Sequence, residues 1–303
     1  MRMALRYRAG ADLAASHIRS HRVNRSMSMG DATSQQLTLQ NGGSIAVDVY
    51  GLTGPWVILL HGIPGSRRTW RHVAARLAPH CRVAVPDLLG FGDSTDPPAD
   101  FHAPAQAKAL LEVMDRMGIA CAHVIGFDFG GPIALTLHHS DPKRFLSVIL
   151  VATNAFTDTP IPPPLHLARV PIAGQILFRT LCSWIGLASL WVPAVGDKRA
   201  LPLRAFLEGI PAARSRRWVR RVFLDSLRNL RARYETVEQV LGTIDCRAVV
   251  VWGDRDPFFP EAVGRRTAAA IRGSRFVLLA GCGHFVPEER PGALADIVLE
   301  FTR

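Results

Sequence analysis

From residue 35 onward the chain carries two hydrophobic rhythms. QQLTLQ and SIAVDVYG place apolar residues at every second position on either side of Asn41-Gly42-Gly43. Asn-Gly between alternating runs predicts a β-hairpin. The later strand-like segments are instead continuous apolar runs: WVILLHG (56–62), CRVAVPD (81–87), AHVIGF (122–127) and FLSVILVAT (145–153). Runs without alternation predict strands covered on both faces, hence a largely parallel sheet. Between them, residues 69–78, 103–117 and 132–140 have helical spacing, with Val113, Met114 and Met117 on one face of the second.

After Asn154 the rhythm breaks. TDTPIPPP (157–164) reads as a proline-rich linker, and the pattern up to residue 242 is helical, with no convincing strand. RAVVVWG (247–253), FVLLAG (276–281) and a closing helix over 292–301 then resume the alternation. The expected architecture is α/β: a mostly parallel eight-stranded sheet with helices on both faces, formed by residues 31–156 and 243–303. Residues 157–242 are expected to form a helical lid inserted after the sixth strand. Ligands of such sheets sit at the carboxyl ends of the strands, so the residues that follow each strand matter most.

Composition agrees with a folded, soluble globular protein: of 303 residues, 48% are hydrophobic and 20% charged. The formal net charge of +11 is unevenly placed, with +5 in residues 1–30 and +8 in residues 197–233. Neither region carries an RNA-binding or zinc-finger signature, so nucleic acid is not an expected partner. The arginines at 214, 216, 217, 220, 221, 228, 231 and 233 fit a solvated helix face, a guide for an anionic substrate, or a peripheral contact with an anionic membrane surface. Residues 1–30 lack the apolar core of a secretory signal and read as a basic, disordered extension or as sequence upstream of a start at Met27 or Met29. Their arginine and serine content also superficially fits an organellar transit peptide. Residues 170–195 have the length of a membrane span, but Arg179 near the middle, with Gln175, Pro171 and Pro193, argues for apolar helices over a pocket. The five scattered cysteines suggest reduced thiols in a cytoplasmic protein, with no disulfide framework or zinc site.

Candidate chemistry concentrates in VIGFDFGG (124–131), where Asp128 stands in a small-x-polar-x-small turn between a strand and a helix. HGIPG follows the third strand, WGDRDPFFP the seventh and GCGHFVPEERP the eighth. In these motifs, over residues 35–303, the chain resembles the α/β-hydrolase family. The resemblance implies Asp128 as nucleophile, His284 as base, Asp256 as the acid that orients it, and backbone N–H groups of Ile63 and Phe129 as an oxyanion hole. Asp254 and Asp158 are the alternative acids, and Asp87 and Asp93 match turn-stabilising residues of the family.

Aspartate at the nucleophile position changes the chemistry expected. A serine that displaced a leaving group at saturated carbon would end as a stable ether, whereas a carboxylate forms an ester that water can cleave. The resemblance therefore narrows to epoxide hydrolases and haloalkane or haloacid dehalogenases, enzymes that need no cofactor or metal for this step. An ester-type hydrolase or a non-catalytic ligand-binding member of the fold is the further alternative. Haloalkane dehalogenases usually place tryptophan after the nucleophile and asparagine after His-Gly, where this chain has Phe129 and Ile63. Fluoroacetate dehalogenases usually place arginine there. Trp184, Trp191 and Trp218 are the substitute halide donors, or else pack in the core of the lid. Epoxide opening needs an acid, usually a pair of lid tyrosines; here Tyr234 is the lid's single tyrosine, with His166 or water as substitutes. The expectation is an epoxide hydrolase acting on a small hydrophobic organic substrate and water.

Overall fold

The computed structural model describes residues 32–95, 101–159, 166–167, 169–209 and 215–302. The basic stretch 1–30 with Met27 and Met29, the linker prolines, Arg214 and the Arg216 side chain lie outside the described residues.

Eight strands form one sheet: β1 (Thr33–Thr38), β2 (Ser44–Tyr50), β3 (Trp56–Leu60), β4 (Arg82–Pro86), β5 (Ala122–Phe127), β6 (Phe145–Val151), β7 (Arg247–Gly253) and β8 (Arg275–Leu279). Their order is β1-β2-β4-β3-β5-β6-β7-β8. The β1–β2 and β2–β4 pairs are antiparallel and the rest parallel. The hairpin turns where the sequence predicts, with Asn41 Oδ1 accepting the Gly43 N–H at 2.9 Å and Gly42 at φ 83°.

Successive residues of the central strands serve opposite faces. Val57, Leu59, Ile125, Ile149 and Val249 enter one core, against α1 (Arg71–Leu77) and α11 (Pro291–Thr302). Ile58, Leu60, Val124, Val148 and Val250 enter the other, under α2 (Ala103–Arg116), α3 (Gly130–Ser140) and α9 (Glu261–Ala270). This two-sided burial is why those strands read as unbroken apolar runs.

Element ends differ from the expected ones for local reasons. Ser66 caps a 3-10 turn at Arg67–Trp70, so the first helical segment starts two residues earlier than its apolar spacing implies. β6 stops at Val151 because Ala152 adopts φ 41°, and β8 stops before Gly281 at φ 64°. α3 starts at Gly130 rather than 132, immediately after the turn at Asp128.

Between β6 and β7 lie α4 (Pro171–Leu181), α5 (Trp184–Ala194), α6 (Leu203–Gly209), α7 (Ser215–Arg228) and α8 (Leu230–Leu241). Hydrogen bonds and ion pairs tie this inserted layer to the residues of the sheet and its connecting loops. Glu238 of α8 accepts the Thr157 N–H and hydroxyl at 3.0 and 2.9 Å and pairs with Arg266 at 3.2 Å. Asp225 of α7 meets His102 at 2.8 Å. The Ala194 carbonyl accepts the His284 N–H at 2.8 Å, so the insertion touches the histidine loop directly. All five cysteines are free thiols. Among the described residues no single helix is long and apolar enough to cross a membrane, and α4 and α5 are bent 77° from one another.

Candidate active site

Asp128 sits at the carboxyl end of β5 with φ 50°, a backbone conformation that a side-chain-bearing residue adopts only when its surroundings impose it. Its own N–H donates to the Val151 carbonyl at 3.0 Å, and its carbonyl accepts from Gly131 N–H at 3.0 Å and Thr153 Oγ1 at 2.6 Å. The flanking glycines permit this packing. A Cβ at Gly126 would collide with the Gly130 carbonyl, and one at Gly62 with the Asp128 side chain.

The two oxygens of the Asp128 carboxylate have different neighbours. Oδ1 accepts the Ile63 N–H at 2.7 Å, while Oδ2 lies 3.6 Å from His284 Nε2. That second separation is an ion-pair contact longer than a hydrogen bond. Ile63 is presented by the loop after β3, where buried His61 acts as a brace: its Nδ1 contacts the Gly62 carbonyl at 2.9 Å and its Nε2 accepts the Leu88 N–H at 3.0 Å. Burial lowers the basicity of His61 and keeps it neutral in that role. Phe129 follows Asp128 and is among the residues that line the cavity.

His284 is buried and oriented from the opposite side. Its Nδ1–H donates to Asp256 Oδ2 at 2.8 Å, and Asp256 Oδ1 accepts the N–H groups of Phe258 and Phe259 at 2.8 and 3.1 Å. Burial acts to lower the imidazole's basicity, but Asp256 and then Asp128 outweigh it and push the pKa up to about 10. Phe127, Phe258, Phe259 and Phe285 surround the ring at centroid distances of 5.0 to 5.7 Å, which excludes bulk water from the pair.

The alternative acids lie elsewhere. Asp254 Oδ1 accepts the Cys282 N–H at 3.1 Å and braces the loop. Asp158 pairs with Arg266 on the surface. Asp87 and Asp93 both grip Arg67, and Asp87 Oδ2 also accepts the Asp93 N–H at 2.8 Å, a turn-stabilising arrangement.

A cavity of about 520 Å³ opens over Asp128 and His284, walled by Ile63, Pro64, Phe129, Phe178, Leu181, Leu187, Leu190, Phe223 and Leu227. Tyr234 of α8 also lines it. Its phenol has its pKa raised by burial and by the charge of Asp128, and it engages the Asn154 side chain. The tryptophans are placed differently. Trp184 is half-exposed on the outer side of the insertion, and the Trp191 indole N–H donates to the Leu201 carbonyl at 2.8 Å. Trp218 is buried beside Phe101 with ring centroids 5.7 Å apart. None of the three lines the cavity: α5 turns Leu187 and Leu190 inward in place of its tryptophans, and Trp218 of α7 faces a separate cleft lined by arginines. His166 does not line it either.

Sequence reasoning missed Asn154 and Glu289. Asn154 follows β6 at its carboxyl end, a position that marks it as a site residue. Glu289 is buried and accepts N–H groups from Gly283, Gly196 and Asp197, joining the histidine loop to the end of α5. Its only signal was a glutamate shortly after the histidine. Among the described residues, no cluster of three or more His, Cys, Asp or Glu has metal-binding geometry.

A sequence profile described as the alpha/beta hydrolase family matches residues 57–297. The chain is 28% identical over 268 residues to an uncharacterized protein of Mycobacterium tuberculosis, covering 82% of this chain and 75% of that one. It is also 28% identical over 265 residues to Haloalkane dehalogenase 2 of Mycobacterium bovis, covering 82% and 88%. Among solved structures, the epoxide hydrolase CorEH without ligand superposes with a TM-score of 0.75 at 20% identity, covering 89% of this chain and 98% of that one. At that identity the superposition speaks for the fold alone.

Proposed function

The chain belongs to the alpha/beta hydrolase family, and on that premise we propose that it opens epoxides to diols through an ester formed on Asp128. One observation carries the reading: the Asp128 carboxylate has one oxygen on the Ile63 N–H and the other toward His284 and the cavity. In this reading Oδ2 attacks a ring carbon as the C–O bond of the epoxide breaks. The departing oxygen takes the proton of Tyr234, giving a hydroxyalkyl ester on Asp128 and a phenolate.

Formation of the ester removes the negative charge of Asp128. That charge is one of the two that hold His284 protonated. The imidazolium then holds its proton less tightly and releases it to solvent more readily, which yields a base at the stage that needs one. Water attacks Cγ of Asp128 and gives its proton to His284. Negative charge develops on Oδ1 against the Ile63 N–H, where a preorganised donor of this kind is worth about 10²–10³ in rate. Collapse releases the diol and restores the carboxylate. Solvent returns the Tyr234 proton, so that epoxide and water are consumed one for one. The apolar cavity walls favour a small hydrophobic substrate.

Displacement of halide is the second reading, favoured by the relative named Haloalkane dehalogenase 2. It would need donors for the departing ion, and the Trp191 N–H is engaged by the Leu201 carbonyl. One experiment separates the two. His284→Gln is incubated with a panel of aliphatic and aromatic epoxides and bromoalkanes and digested for mass spectrometry. The expected result is an added epoxide mass on the peptide containing Asp128. Adducts from bromoalkanes alone would favour the second reading, and full turnover by Asp128→Ala would overturn both.

A further inference from the structure

α4 and α5 are apolar on both sides. Inward, Phe178, Leu181, Leu187 and Leu190 wall the cavity. Outward, Ile172, Ile176, Ile185 and Val192 are 77%, 63%, 84% and 62% exposed, with half-exposed Trp184 beside them. The outward set follows helix faces: Ile172, Ile176 and Arg179 recur three or four residues apart in α4, as do Ile185, Ser189 and Val192 in α5. Single exposed apolar side chains are ordinary, whereas five on two successive helices, Trp184 included, mark a candidate interaction surface.

The flank of this surface is cationic. Gln175, between Ile172 and Ile176, shares a cleft of about 630 Å³ with Arg217, Arg220, Arg221 and Arg228 of α7. Asp225, the acid of that cleft, is engaged by His102 at 2.8 Å and Arg233 at 2.7 Å. Exposed apolar residues bordered by arginines, with a tryptophan at the edge, suit a layer with hydrocarbon inside and negative charge outside. A second copy of this chain would bring the same arginines and the same sign of charge. α4 and α5 together have the length and composition of a broken span, but the 77° bend between them and the use of their inner faces as cavity wall fit contact with a membrane surface better than passage through it.

We propose that the outer faces of α4 and α5, with the arginines of α7 beside them, dock the protein on an anionic phospholipid bilayer. The surface is independent of the chemistry at Asp128. Docking sets the outer side of the cavity wall against hydrocarbon, so an apolar molecule dissolved in the bilayer is one helix layer from the cavity.

Flotation of the full chain with vesicles tests this, using about equimolar phosphatidylcholine and phosphatidylglycerol against phosphatidylcholine alone. Three proteins are compared: the parent, Ile176→Ser with Ile185→Ser, and Arg217→Gln with Arg228→Gln. All three keep residues 1–30, so differences among them belong to the insertion. The parent is expected to float with the anionic vesicles and to release in high salt. Each lost arginine should weaken binding about fivefold, hence about 25-fold for the pair. The isoleucine variant should bind about tenfold or more weakly. Unchanged thermal midpoints confirm that both variants fold. Failure of the parent to float, or equal flotation of all three folded proteins, overturns the proposal. A parent dimer that the isoleucine changes disperse, without vesicle binding, overturns it in favour of self-association.

Discussion

Replacing Asp128 with asparagine removes one negative charge beside His284 and leaves Asp256 and the burial of the ring in place. Oδ2 lies 3.6 Å from Nε2, and at an effective dielectric constant of about 20 a unit pair at that distance is worth roughly 4 to 5 kcal/mol. This corresponds to an upper bound of about 3 pH units. The Ile63 N–H draws part of the charge to the other oxygen, so a fall of about 1 to 2 units in the His284 pKa is expected, from a parent value near 10. Titration of ¹³C-labelled imidazoles by NMR measures it, with the His284 signal assigned by its loss in His284→Gln. The stability curve gives a second readout. A histidine whose pKa is raised in the folded state contributes stability that is fully present below about 6.5 and is lost as pH rises through the folded value. Between pH 7 and 10 the thermal midpoint of the parent should therefore fall more steeply than that of the variant. A His284 midpoint that agrees between the two proteins within about 0.3 unit would refute the charge coupling on which the proposed cycle depends.

Tyr234→Phe should lower kcat/KM for epoxides by about 10² to 10⁴, the range for loss of a general acid, while Asp128 ester formation from an alkyl bromide stays within about threefold. Single-turnover mass spectrometry measures both rates, and equal losses with the two substrates would assign Tyr234 to packing. Glu289→Gln places an amide N–H₂ against the N–H groups of Gly283, Gly196 and Asp197 and should cost about 1 to 3 kcal/mol of stability. If Glu289 positions His284, kcat falls and its pH midpoint moves while KM stays within about twofold; a loss of stability with an unchanged pH profile would leave it a purely structural residue.

The strands were legible because the sheet is covered on both faces, which turns burial into continuous runs such as WVILL and AVVVW. The juxtaposition of Asp128, His284 and Asp256 was legible because each follows a strand whose carboxyl end opens on the same edge of the sheet. The rotation of α5 was not. An apolar helix of near-uniform hydrophobicity carries no pattern that says whether Trp184 or Leu187 faces inward, and packing against α4 decides it. The clamp at Glu289 was equally hidden, since its acceptor role depends on N–H groups of Gly196 and Asp197, more than 90 positions earlier. Hydrogen bonds of that range leave no periodicity in the sequence. His61 was visible in HGIPG, but its service as a neutral brace follows from burial and from the Leu88 N–H.

The charge at Asp128 links the remaining parts of the site. It raises the pKa of the Tyr234 phenol, after burial, and that of the His284 imidazole, after Asp256. In the proposed cycle, attack on the substrate converts that charge to a neutral ester, and both shifts relax together. The phenol becomes a better acid as the epoxide oxygen departs, and the imidazolium gives up its proton more readily before water attacks. A serine at this position would carry no such charge. The phenol would then start more acidic and the imidazole less protonated, so neither would respond to the first chemical step. In the proposed cycle, an aspartate at the turn thus sets both which bond is cleaved after the first step and when the neighbouring acid and base become competent.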